Sequence, residues 1–372
     1  MTKMFYIDIV ILLPYNDTGI RYRCHHKFIV NSPQITVATI RDIAVKAGVS
    51  VKTVSRVINN EPMVGQETRA RVLAVTNELR YVPNILAQRL ARGRSMVIGL
   101  LIHNATWAYL SDVLEGSLEV ARQRGYGIMT RLMDVNKPAD HEELLRMVAQ
   151  QRAEGYLFTP PCDNLPELLG TLQKRNVPFV RLTPHDRRLP QPHVSANDYQ
   201  GARDMTEHLL SLGHRQIGFV MGNPDHQASH DRLAGFRDTL QARGESLDPT
   251  FVRQGDWYFN SGVACGRELL EMNSRPTAIF AGNDDMAAGV LSTAHRMKIS
   301  VPEALSVAGF DDVPLAEQVW PPLTTVRQPI HQIAKLATTL LIDLLEGKAP
   351  SVLHYELPTE LVLRESTGRV AA

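Results

Sequence analysis

From Met96 onward the chain repeats one unit, a short apolar run followed by a segment of helical periodicity. The runs "VIGLLI", "GYLFT", "PFVRL", "QIGFVMG", "TAIFAG" and "LSVAGF" are nearly continuous rather than alternating, as strands are when both sheet faces are covered. Apolar residues at helical spacing mark Asp112–Gln123, Ala202–Leu212, Leu233–Ala242, Met286–Met297 and, last, Ala334–Leu345. Strand and helix in alternation predict parallel sheets clothed by helices, an α/β plan large enough for two lobes. Such sheets bind ligands in a crevice at the carboxyl ends of their strands.

The 372 residues allow two or three domains and a sizeable core. With 44% hydrophobic and 21% charged residues, the composition is that of an ordinary soluble protein. Cys24, Cys162 and Cys265 are odd in number, far apart and without metal spacing, which argues against a disulfide framework and fits a reducing cytoplasm. A net charge of +1 conceals an asymmetry. Residues 36–95 carry ten Lys/Arg against four Asp/Glu, residues 1–35 four against two, and the remainder 26 against 33. A small basic module on a larger acidic body predicts a polyanionic partner for the module.

Residues 1–35 share neither pattern. Their apolar run "MFYIDIVILLP" is interrupted by Asp8 and closed by Pro14, far short of a membrane span, and no small-residue cleavage site follows Lys3. They read as a poorly ordered extension, and a natural translation start near Val37 is an expectation that fits this.

The basic module opens with "TIRDIAVKAGVSVKTVSRVIN", Thr39–Asn59. Thr39 followed by Asp42 is a capping box ahead of an apolar run, so a helix starts there. Ile40, Ile43, Ala44 and Ala47 mark its buried face, and Gly48 permits a backbone reversal. Ser50 caps a second helix with Val54, Val57 and Ile58 as its inner stripe, completing a helix-turn-helix. The outward face carries Val51, Lys52, Ser55, Arg56 and Asn59. A helix fits the major groove of B-DNA, where Lys or Arg reaches guanine O6 and N7. Ser50 and Thr53 lie at the positive helix end, which suits phosphate. A third helix, Thr68–Leu79, is expected to close the core with Val72, Leu73, Val75 and Leu79. Beyond "YVPN", Asn84–Leu90 reads as a short helix too polar to be stable alone, with Leu86 and Leu90 on one face able to wedge into a minor-groove step.

These residues resemble the DNA-binding head of bacterial transcription regulators of the lactose-repressor and galactose-repressor type. The likeness continues over roughly residues 39–365, with "LGHRQIGFV", "RLAGF", "NDDMAAG", "SVAGFDD" and "PPLTTVRQP" in family order. The resemblance implies an all-α head over 36–82, a hinge over 83–95, and a two-lobed body over 96–372 like the periplasmic sugar-binding proteins. The second lobe would run from about 196 to 322, with the chain crossing more than once. By motif, Val51 and Lys52 stand at the family's main base-reading positions and Arg56 beside them. Thr39, Ser50, Thr53, Ser55, Asn59, Thr68, Tyr81 and Asn84 match residues that hold phosphate or brace the head, and Leu90 matches the leucine inserted at the operator centre. Gly65 departs from the hydroxyl residue that several relatives carry there.

In the body the resemblance places Arg232, Trp257, Asn283, Asp311 and Gln328 at effector-contacting positions. An aromatic ring against a C–H face and planar polar groups on hydroxyls are what a sugar requires. Asp284 and Asp312 read as structural, and Trp107, Tyr109 and Ser111 as the first-lobe side of a saccharide site. Thr183 stands where many relatives have an acid, and Asn197–Asp198 where "DN" is frequent, so saccharides, glycosides and purines stay unseparated.

The expected partners are a near-palindromic DNA duplex, a second copy of the chain in a homodimer and a small effector of the saccharide class, in a bacterial cytoplasm at the nucleoid. No cofactor, metal or membrane is implied. A sugar-binding component of a transport system shares the body but has no use for residues 39–94. An enzyme is disfavoured: the chain has no G-x-S-x-G elbow, P-loop or H-E-x-x-H, His25–His26 fall in the extension, and His214 reads as a helix cap. The pair Asp284 and Asp311 is the remaining candidate for glycoside cleavage.

Overall fold

The structure, a computed structural model, describes residues 38–58, 62–81, 94–103, 106–150 and 152–370. The extension 1–35, most of the expected hinge, and Asn59, Asn84 and Leu90 lie outside the described residues. The described chain falls into two compact units, divided between residues 92 and 93.

The first unit is all-α. Helix α1 (Ile40–Ala47) starts at the expected capping box: the Thr39 hydroxyl accepts from Asp42 N at 3.3 Å, and the Asp42 carboxylate accepts from Thr39 N at 2.7 Å. Gly48 closes the helix with φ 65°, a left-handed value that glycine adopts without a Cβ clash. Helix α2 (Val51–Ile58) follows, with the Ser50 hydroxyl accepting from Thr53 N at 3.1 Å as its cap. Helix α3 (Gln66–Glu78) begins two residues before the expected Thr68, because Gly65 takes the cap position, where it offers no side-chain bond. Ile43, Ala44, Ala47, Val54, Val57, Val72 and Val75 form the core. Val54 and Val72 are wholly buried, each contributing on the order of 1.5–3 kcal/mol. Leu73 was expected in this core and is instead 45% exposed. One residue along a helix is a rotation of roughly 100°, which carries it off the face shared by Val72, Val75 and Leu79.

The second unit contains both lobes. In the first, strands β1 (Val97–Ile102), β2 (Gly127–Leu132), β3 (Gly155–Phe158), β4 (Phe179–Leu182) and β5 (His193–Ala196) join β11 (His354–Leu357) in a parallel sheet. Its order is β11-β5-β4-β3-β1-β2. Helices α4 (Trp107–Gln123) and α12 (Ile330–Leu345) bury Val113, Val120, Ile333 and Leu341 against Ile98 and Leu100 on one face. Helices α5 (Pro138–Ala149) and α6 (Pro166–Lys174) bury Leu144, Val148 and Leu168 against Leu101 and Phe158 on the other.

In the second lobe, β6 (Ile217–Met221), β7 (Val252–Gln254), β8 (Ala278–Ala281) and β9 (Ser306–Ala308) form a parallel sheet in the order β7-β6-β8-β9. Helices α7 (Asp198–Ser211) and α8 (Gln227–Ala242) cover one face, where Phe219 stacks on Phe236 at 5.0 Å. Helices α9 (Phe259–Leu270) and α10 (Asp284–Arg296) cover the other, with the short α11 (Leu315–Gln318) beside them.

The chain passes between the lobes after Ala196, after Gln328 and after Leu357. The second lobe therefore extends beyond the expected limit at 322. Strand β10 (Thr325–Arg327) pairs antiparallel with β12 (Glu360–Val362), and Val326 and Leu361 join the core beside Phe310. The tail returns to the same lobe, where Ser366 O accepts from Val307 N at 2.9 Å.

Candidate ligand cleft and helix-turn-helix face

On the head, Val51 and Lys52 are exposed on α2, while Ser55 and Arg56 are half-buried and engaged with neighbouring groups. Ser50 and Thr53 share a hydroxyl hydrogen bond of 2.9 Å at the start of α2, where backbone N–H groups favour an anion. Thr39 is exposed, Thr68 is half-buried, and Tyr81 packs on the head core.

In the body a cleft opens at the carboxyl ends of the strands of both sheets. The first lobe contributes Thr106, Tyr109, Pro160 and Thr183. The second lobe contributes Asp198, His226, Arg232, Trp257, Tyr258, Asn283 and Asp311, with Gln328 at a crossover. All five sequence-predicted effector residues thus line one cleft.

Arg232 is the hub. Its Nε and Nη2 donate to Asp198 Oδ1 at 2.9 and 2.8 Å, and Nη1 donates to the Gly282 carbonyl and to Asp311 Oδ1 at 3.3 Å. The guanidinium lies 3.8 Å from the Phe310 ring centroid and 5.2 Å from that of Trp257. Gln328 Nε2 donates to Asp311 Oδ1 at 2.6 Å. Burial raises the Asp311 carboxyl to about 6, against the lowering effect of Arg232 and Gln328. Across the cleft Tyr109 hydrogen-bonds Thr183, and burial pushes its phenol up to about 12. Burial also lowers His226 to about 4, leaving its ring neutral near neutral pH.

Residues 39–84 match the family described as bacterial regulatory proteins, lacI family, and residues 206–367 match a periplasmic binding protein-like domain. The HTH-type transcriptional repressor PurR of Photobacterium profundum is 32% identical over 332 residues, spanning 89% of this chain and 98% of that protein. The chain belongs to the lacI family of bacterial regulatory proteins. The HTH-type transcriptional repressor CytR of Escherichia coli is likewise 32% identical over 336 residues, spanning 90% of this chain and 97% of that one. Among solved structures, the Lac repressor dimer bound to operator and the anti-inducer ONPF aligns with a TM-score of 0.77 at 29% identity, covering 89% of this chain and 99% of that one. The transcriptional regulator CelR–cellobiose complex aligns at 0.68 and 30% identity, covering 88% and 99%. This lacI-family chain is a DNA-binding transcription regulator with a two-lobed ligand-binding body, as its motifs implied.

Several neighbours of the cleft are structural in this lacI-family body. Asp284 is wholly buried, accepting from Thr325 Oγ1 at 2.6 Å and Val313 N at 3.0 Å, and burial raises it well above its ordinary value. Asp312 pairs with Arg327 and Arg364, each at 2.7 Å. Both match their structural expectation. Asn283 combines roles: Oδ1 caps α10 through Met286 N at 3.0 Å, and Nδ2 donates to the Trp257 carbonyl at 2.9 Å. Of the three first-lobe candidates only Tyr109 lines the cleft, since Trp107 and Ser111 project from the exposed side of α4. His214 is a buried strut rather than a cap, bonded to Thr277, Ser306 and the Gly368 carbonyl.

Cleft features that went unread in the sequence include Thr106 and Pro160, Asp198 as the partner of Arg232, and His226 and Tyr258 in the wall. The last two sit just beyond β6 and β7, the strand-end position that flags ligand contact. Beside the cleft, contacts tie the lobes together. His185 Nδ1 donates to the Asp225 carbonyl at 2.9 Å, and Arg187 pairs with Asp231 at 2.9 Å.

Proposed function

We infer that the chain is a repressor acting as a homodimer whose two heads read a near-palindromic duplex, and that a saccharide or glycoside in the cleft switches this binding. The observation that carries the effector reading is the cleft wall, where the Asp311 carboxylate and the Gln328 amide stand beside the apolar Trp257 ring that Asn283 helps to fix. The titles of two structural neighbours, one holding cellobiose and one an operator with an anti-inducer, support the same pairing of functions. On this reading Val51, Lys52 and Arg56 meet base edges, and Ser50, Thr53, Ser55 and Thr68 meet phosphate, with Thr39 and Tyr81 bracing the head. Asn59 and Asn84 join the phosphate set, and Leu90 wedges at the operator centre. The division into head, hinge and body at 36–82, 83–95 and 96–372 belongs to the same proposal, as does a cytoplasmic site of action at the nucleoid. Ligand shifts the equilibrium by binding one lobe arrangement more tightly than the other. The residues 39–84 match to a DNA-binding head is what a transport component would not use.

The test is selection of duplexes from a random pool by the full chain, repeated with a saccharide panel. An inverted repeat with half-sites roughly one helical turn apart is expected, with its retention altered by one or more saccharides. Recovery of no preferred duplex under any condition would sink the reading.

A further inference from the structure

Arg232 is the full cation of the cleft wall, and both carboxylates of that wall hold it. Its edge is occupied by Asp198, Asp311 and the Gly282 carbonyl, and its flat faces by Phe310 and Trp257. No guanidinium donor pair is left to form the bidentate fork that a phosphate or carboxylate requires. Asp198 Oδ2 also lies 3.8 Å from Arg187 Nη2, and that guanidinium is itself held by Asp231 at 2.9 Å. The facing wall of Thr106, Tyr109, Pro160 and Thr183 adds no cation.

The remaining groups ask for a different ligand. Trp257 Nε1 and Tyr258 Oη are buried and lack a hydrogen-bond partner, as does Asp198 Oδ2. Indole N–H only donates, a carboxylate oxygen only accepts, and a phenol does both. A ligand that satisfies them must both donate and accept, which a row of hydroxyls does without carrying charge. The amino ends of α4 and α8, which carry no acidic residue in their first turns, add partial positive charge of a size that suits hydroxyl or ring oxygens. Those of α7 and α10 are offset by Asp198, Asp284 and Asp285.

We propose that the cleft accepts uncharged polyhydroxyl ligands and excludes phosphorylated and carboxylate-bearing sugars, with Asp198 and Asp311 acting as the filter by holding Arg232. The polyhydroxyl half rests on the saccharide reading above; the charge filter rests on the geometry of Arg232 alone. An anion entering the cleft would have to part Arg232 from the Asp198 and Asp311 carboxylates that hold it, and breaking such buried pairs is strongly unfavourable.

The test titrates the full chain, following tryptophan fluorescence and heat, with D-hexoses, cellobiose and methyl glycosides against glucose 6-phosphate, glucuronate and inorganic phosphate. The expected result is saturable binding of at least one uncharged member, with its charged counterpart weaker by roughly 150-fold or more, the scale of a broken buried ion pair. Asp198→Asn, and separately Asp311→Asn, should each strengthen binding of inorganic phosphate, since either change releases part of Arg232. Two variants are used so that a folding defect in one, seen by circular dichroism, leaves the other to decide. Wild-type binding of a charged member as tight as its uncharged counterpart would overturn the filter. So would folded variants that gain no affinity for phosphate. If the variants gain it but no uncharged saccharide binds the wild type, the filter stands and the saccharide reading falls.

Discussion

Asp311 holds a backbone conformation that a side chain ordinarily avoids. Its φ is 112°, and Trp257 and Thr183, also in the cleft wall, stand at 80° and 44°. Such positions cost on the order of 1–3 kcal/mol each and persist only where surrounding contacts hold them. Asp311 is held by its N–H on the Val326 carbonyl at 2.8 Å and by its carbonyl accepting from Gln328 N at 3.3 Å. The result is a carboxylate aimed into the cleft and raised by burial from 3.8 to about 6. The sign has two consequences. A raised native value means that this group's share of stability is present below about 4 and is lost as pH rises through about 6. Ligand hydroxyls that donate to the carboxylate need it ionised, so saccharide affinity should fall as pH is lowered from about 7 to about 5. Calorimetric titration across that window checks it, and a flat profile would remove Asp311 as the acceptor. Lys52 makes the corresponding prediction on the head. Lys52→Ala should cost roughly 1–3 kcal/mol at one base pair and change which base is preferred there. Equal weakening on all duplexes would refute base reading.

The elements set how firmly those residues are presented. Helix α1 has eight residues and a small buried face, so its cap matters in proportion. Thr39→Ala removes the hydroxyl that accepts from Asp42 N and should lower head stability by about 1 kcal/mol, read as an earlier thermal transition of the head. In the body, the loop after β6 passes directly under Trp257: a Cβ on Gly222 would fall inside the indole ring's contact distance. Gly222→Ala should therefore displace the indole, shift its fluorescence and weaken the saccharide response, while duplex binding persists. Unchanged fluorescence together with a normal response would show that the ring is not fixed by this contact.

At the scale of the whole molecule, the crossings make the lobes interdependent. The C-terminal tail is part of the second lobe's frame. Ser366 Oγ donates to the Val307 carbonyl at 2.6 Å and accepts from Thr324 N at 2.8 Å, with the side chain wholly buried. Ser366→Ala removes both of these buried hydrogen bonds and should cost roughly 1–3 kcal/mol, lowering the melting temperature of the body by a few degrees. A melting curve that matches wild type would mean the tail is not integral. Among the described residues no helix is long and apolar enough to cross a membrane.

Local pattern was enough for most of the frame. The capping box at Thr39, the turn at Gly48 and six strands with near-continuous apolar runs could all be read directly, because caps, turns and two-sided burial are recorded within a few residues. The edge strand β2, half-exposed, and the short polar β5 and β11 carried no such run and went unseen. Placement of Arg232, Asp311 and Gln328 came from motif resemblance, and only the tertiary structure decided what they do to one another. Arg232 meets Asp198 and Asp311 at sequence separations of 34 and 79 residues. The return of residues 324–327 and 360–370 to the second lobe was equally hidden. Periodicity states which face of an element is apolar. It does not state which distant charge that element will meet, and that pairing is what neutralises the arginine of the cleft.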